Sequence, residues 1–130
     1  MTITAFGTLL NPGATVQAPA NQQTVIVRMR LPNTGSFVLF GRIVAANASQ
    51  AASNATISLT TLDGETSLDV ATVTLSGGFS TSVSLQAILT MGAQNVNEIV
   101  DIRCQPGAPF NVNSISLTAI SVDATASALA

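Results

Sequence analysis

Ser80–Met91 reads STSVSLQAILTM, and its alternation decides the fold class. Serine, threonine or glutamine takes turns with Val83, Leu85, Ala87, Leu89 and Met91, which is the period of a β-strand with one face on a core. Working upstream, Ser76, Gly77 and Gly78 form a turn signal that closes a second strand, Ser67 to Leu75. Asp63 and Gly64, a tight-turn dipeptide, separate that strand from Ala55 to Leu62, whose Ile57 and Leu59 point inward. The polar stretch 47–54, NASQAASN, reads as a loop.

Further upstream, Ser36 to Ala46 is apolar on both faces. Phe37, Leu39 and Ile43 line one face, and Val38, Phe40 and Val44 line the other. Such a run in an antiparallel protein means a strand covered on both sides. Thr24 to Leu31 sets Val25, Val27, Met29 and Leu31 against Ile26, Arg28 and Arg30, and Thr2 to Leu10 ends at Asn11, Pro12 and Gly13. Downstream, Asn97 to Cys104 buries Val100, Ile102 and Cys104 and leaves Glu98, Asp101 and Arg103 polar. After Pro106–Pro109, Asn113 to Asp123 buries Ile115 and Leu117, then turns apolar on both faces at Ile120 and Val122. About eight to ten short strands with hairpin-length connections, and no internal repeat, predict an all-β, antiparallel two-sheet sandwich. The 130 residues form one domain, with 1–23 an N-terminal strand and arm and 124–130 a short tail.

Composition removes whole classes of function. Histidine, lysine, tryptophan and tyrosine are absent, and 8% of residues are charged for a net charge of -2. Four arginines, Arg28, Arg30, Arg42 and Arg103, against six acids give no basic field for nucleic acid and no polybasic patch for a membrane surface. No run approaches the ~20 apolar residues of a membrane helix. The start, MTITAFGTLLNPG, has neither a positive n-region nor a long apolar run, so no signal peptide is expected. The pattern Asn47-Ala-Ser49, like Asn54-Ala-Thr56, matches an N-glycosylation acceptor, which matters only in a eukaryotic secretory pathway.

Catalysis finds no base. Without histidine or lysine, neither a serine nor Cys104 has an activating partner, and the inward phase of Cys104 makes it a small core residue. Asp101 and Glu98 fall on opposite faces of one strand and cannot act as a carboxylate pair across a cleft. Asp63, Glu65 and Asp69 are the candidate oxygen ligands for a hard cation such as calcium. Their spacing matches no dedicated calcium loop, and a solvated hairpin tip explains them as well. Arg28 and Arg30, two residues apart, are candidates for gripping an anion or glycan, or for pairing with acids across the sheet. The expectation is a non-enzyme with no cofactor.

The order of parts GSFVLFGRIVAAN, TTLDGETSLDVATVTL, SVSLQAILTM, EIVDIRCQPG and NSISLTAISVD resembles the jelly rolls of tumour necrosis factor and the complement globular heads, and their bacterial and phage-borne relatives. The likeness runs over roughly residues 24–123, with fewer aromatics than many such domains carry. It implies a homotrimer of jelly rolls, with the sheet that holds the first and last strands facing the threefold axis. Phe37, Val38, Phe40, Val44, Ile120 and Val122 are then the expected subunit contacts. A soluble monomer usually carries about a quarter of its residues charged, so self-association also suits the composition. The function expected is a structural or adhesion module on a phage or virus-like particle surface, or otherwise outside the cell by a non-classical route. The alternative is a carbohydrate-binding lectin of the same fold.

Overall fold

A computed structural model describes residues 3–11, 15–31, 35–61, 67–91 and 99–122. Among them nine strands run in chain order: β1 (Ile3–Asn11), β2 (Val16–Ala18), β3 (Thr24–Arg30), β4 (Gly35–Asn47), β5 (Ser53–Thr61), β6 (Ser67–Leu75), β7 (Ser80–Met91), β8 (Ile99–Pro106) and β9 (Phe110–Val122). One sheet has the order β1-β9-β4-β7, with β2 also on β9, and the other has β3-β8-β5-β6. All pairings are antiparallel. Apart from β1–β2 and the β5–β6 hairpin, each connection crosses from one sheet to the other. This is a jelly-roll sandwich.

Alternation explains the core. Phe37, Leu39, Ile43 and Ala45 of β4, Ile57 and Leu59 of β5, Val83 and Leu85 of β7, and Val100, Ile102 and Cys104 of β8 are buried between the sheets. Each fully buried Phe, Leu, Ile or Val contributes about 1.5–3 kcal/mol. Bulges reset the phase of β3 and of β9. Ile26 is an extra residue between Val25 and Val27, so Ile26 joins Met29 and Leu31 inside while Val25 turns outward. Val25, expected on the face of Met29, therefore lies on the opposite one. On β9 a bulge opposite Ile43 holds Ser114 at φ 51°, so the strand buries Phe110 and Val112 before it and Ile115, Leu117 and Ala119 after it.

One end of the sandwich gathers the connections 19–23, 48–52, 76–79 and 107–109, and hydrogen bonds tie them together. Asn21 N donates to Pro106 O at 2.7 Å, Ala48 N to Pro109 O at 3.0 Å, and Gly107 N to Asn54 O at 2.8 Å. Asn47 N donates to Phe79 O and Gly78 N to Asn47 O, both at 2.9 Å. Gly78 has φ +78°, where an L side chain is strained, and a Cβ on Gly77 would lie 2.5 Å from Gln50 backbone atoms. Asn47, expected in a loop, is the buried end of β4. Its Nδ2 donates to Ala51 O at 2.9 Å and Leu75 O at 3.0 Å. A buried amide so engaged is closed to glycosylation, whereas Asn54 is exposed.

Candidate assembly surface

The outer face of the first sheet is built by register. Val38 on β4 faces Ile88 on β7 and Ile120 on β9, so the three side chains form one row across adjacent strands. Directly opposed residues have Cβ atoms about 4.5–5.5 Å apart. Phe40, two residues along, sits between Gln86 and Thr118, and Arg42 between Ser84 and Ser116. Ile88 is 56% exposed and Phe40 41%, while Val38, Val44 and Ile120 are half-buried. Exposed Val25 and Val70 on the second sheet lie opposite polar Arg103 and Ser58, so they stand as single apolar residues.

Phe37 belongs to the other face. It is 1% exposed, within the core, so it leaves the set of expected subunit contacts. Two-sided apolarity marks both faces of a strand but does not say which one the partner sheet covers. Val122 lies in β9, with its side chain outside the described residues. Ile88 joins the set instead. It breaks the alternation of β7 as an apolar residue in a polar phase, a signal visible in the sequence.

Beside Phe40, a groove of about 480 Å³ is lined by Arg42, Asp69, Ser84, Gln86 and Ser116. Asp69 stitches the open edge of the sandwich: its Oδ2 accepts from Gln86 N and its Oδ1 from Val70 N, both at 2.9 Å. Its proposed companions Asp63 and Glu65 lie outside the described residues. Among the described residues no group of three or more His, Cys, Asp or Glu is placed to hold a metal ion.

On the opposite face, Arg28, Asp101 and Thr60 stand in register across β3, β8 and β5. Asp101 points away from the core, yet its side chain has no exposure. It takes Arg28 at 3.3 Å, Arg103 Nε at 2.9 Å and Thr60 Oγ1 at 2.5 Å. The pairing of Arg28 with an acid across the sheet, weighed beside anion binding, is thus present. Arg30 is exposed on the same side of β3, opposite Ile99. Cys104 is fully buried, and burial raises its thiol pKa to about 11, far from a reactive thiolate.

No protein-family model matches the chain, and neither does any curated protein. Among solved structures, a mutant VP2 protein of infectious bursal disease virus, from derived T=1 particles, superposes with TM-score 0.57 at 11% identity. That match covers 92% of this chain and 32% of the other. The Gx strain of the same virus gives TM-score 0.55 at 13% identity, over 94% of this chain and 32% of the other. The C-terminal CBM6 module of LamC from Zobellia galactanivorans gives TM-score 0.43 at 18% identity, over 86% of this chain and 99% of that one. This chain therefore spans about a third of the VP2 proteins, and what it shares with them is the fold, a jelly-roll β-sandwich.

Proposed function

We propose that the chain is a non-enzymatic structural module that packs as a homotrimer through the outer face of its first sheet, within a virus-like particle or comparable surface assembly. The observation that carries this reading is the row Ile88–Val38–Ile120, with Phe40 beside it, on the sheet that holds both the first and the last strand. Arg42 is the one charged residue among the described residues of β4, β7 and β9, so copies meeting face to face bring little repulsion. Particle-forming VP2 proteins share the fold, which supports the setting. The threefold arrangement is what a tumour necrosis factor-like jelly roll implies. Radical footprinting over a dilution series tests the surface: Phe40 and Ile88 label weakly when concentrated and strongly when dilute. Equal labelling at every concentration refutes the packing.

A second reading, sugar binding, is favoured by the groove that sets exposed Phe40 beside Arg42, Gln86 and two serines. An aromatic face with polar groups around it suits a sugar ring. A glycan-array signal that Phe40→Ala abolishes supports it, and a blank array leaves the structural reading alone.

A further inference from the structure

The groove beside Phe40 is chemically asymmetric along β4. Two rows of side chains meet there, Gln86–Phe40–Thr118 and Ser84–Arg42–Ser116, set by the pairing of β4 with β7 and β9. Phe40 and Arg42 share a face two residues apart, a step of ~7 Å. Small serines on both sides of Arg42 leave the hollow around it unfilled. Arg28 and Arg103 are neutralised by Asp101, but Arg42, which is exposed, forms no ion pair among the described residues. The carboxylate that lines the groove, Asp69, is held by the N–H groups of Gln86 and Val70. It stands at the free edge of β7, so that strand lies between it and β4. The groove thus offers an exposed ring, an uncompensated guanidinium one step along the strand, and amide, hydroxyl and carboxylate groups around them.

We propose that this groove takes a carboxylated pyranose, a hexuronate or sialate unit of an acidic glycan, with the sugar ring on Phe40 and the carboxylate on Arg42. The inference rests on the sugar-binding reading of the groove and names the class of sugar. An aromatic ring covers the C–H face of a pyranose and leaves the hydroxyls at the rim. There Asp69 accepts hydrogen bonds, and the Gln86 amide both donates and accepts them. A carboxylate carried on a ring carbon extends past the edge of the sugar, towards a group one strand step away, where Arg42 stands. A guanidinium fork receives both carboxylate oxygens through parallel hydrogen bonds. No second cation among the described residues lines the groove, so it matches a single negative charge rather than the near-double charge of a phosphate. Phe40 also belongs to the contact proposed between copies, so the sugar and a second copy compete for it.

The test is calorimetric titration of the whole chain carrying Ile88→Ser, a change outside the groove that weakens the contact with a second copy. The probes are oligogalacturonate, sialyllactose, the methyl ester of each, and neutral lactose and cello-oligosaccharide. At least one acidic probe is expected to bind about tenfold or more tightly than its own ester. That comparison involves no substitution in the groove. Arg42→Gln should bring the acid down to the affinity of the ester and leave the ester unchanged, because both changes remove the same charge pair. Phe40→Ala should abolish binding of both, in a chain whose thermal melt shows it folded. Acid and ester bound equally well, or an Arg42→Gln chain that keeps its preference for the acid, overturn the inference. Neutral sugars bound as tightly as acidic ones, and lost in Phe40→Ala, leave the sugar reading standing and remove this one. If no probe binds, both fall.

Discussion

Replacing Asn47 by alanine should be the most costly polar change at the tied end of the sandwich. The side chain is 1% exposed and makes four hydrogen bonds. Nδ2 serves the carbonyls of Ala51 and Leu75, and Oδ1 accepts Ser49 N at 2.9 Å and Ser49 Oγ at 2.7 Å. At about 1 kcal/mol net for each bond, the ceiling is about 4 kcal/mol. Ala51 is exposed and Ser49 half-buried, and Ser49 Oγ keeps its bond to Ala51 O, so water and this bond recover part of the loss. The expected cost is therefore about 2–3 kcal/mol. Unfolding entropy of about 2.1 cal/mol/K per residue turns this into a fall in Tm of roughly 7–11 °C for a chain of this length. Thermal and urea unfolding measure it, with exposed Asn54→Ala as the control, expected to change stability by less than about 0.5 kcal/mol. An Asn47→Ala protein within about 0.5 kcal/mol of wild type would refute the idea that this amide ties the connections together.

Three further outcomes follow from the same geometry. Asp101→Ala withdraws a fully buried carboxylate from between two guanidiniums and should cost about 3 kcal/mol in urea unfolding, most of it through Arg103, because Arg28 is half exposed. A loss below about 1 kcal/mol would mean that the cluster is a surface ornament. Burial raises the Cys104 thiol to about 11 from 9.0, so between those pH values the unfolded chain loses the proton that the folded chain keeps. Stability should hold up to about pH 9 and fall from there towards pH 11. Cys104→Ala should remove that part of the slope, and an unchanged alkaline slope contradicts the assignment. Gly77→Ala drives a methyl into the Gln50 backbone, which cannot rotate away, and should cost about 2 kcal/mol or more by thermal melting.

The sequence was most legible where alternation is closed by turn residues. β6 and β7 have the bounds that the sequence predicts, Ser67–Leu75 and Ser80–Met91, because period-two runs end at Gly77 and Gly78 or at Met91. The start of β9 was not legible. The strand begins at Phe110, before the expected Asn113, since the bulge at Ser114 breaks the alternation in two. β2, three residues long, is too short to show a period. The candidate surface was half legible: Val38, Phe40, Val44 and Ile120 follow from two-sided apolarity, whereas Phe37 needed the partner sheet to place it. The burial of Asp101 was hidden, because two of the residues that cover it, Arg28 and Thr60, come from β3 and β5, far from it in the chain. The role of Asn47 was masked by its match to a glycosylation pattern. A buried Asx turn onto Ser49 uses the same spacing.

The outer face of the first sheet is proposed as the contact between copies. Light scattering on the eluting chain, beside Phe40→Asp and Ile88→Asp, tests it most directly. The expected wild-type mass is three times the 13.2 kDa of one chain, falling to a single chain in both variants with their melting cooperativity intact. A wild-type mass of 13.2 kDa at every concentration, or a trimer that both aspartates leave whole, would contradict it.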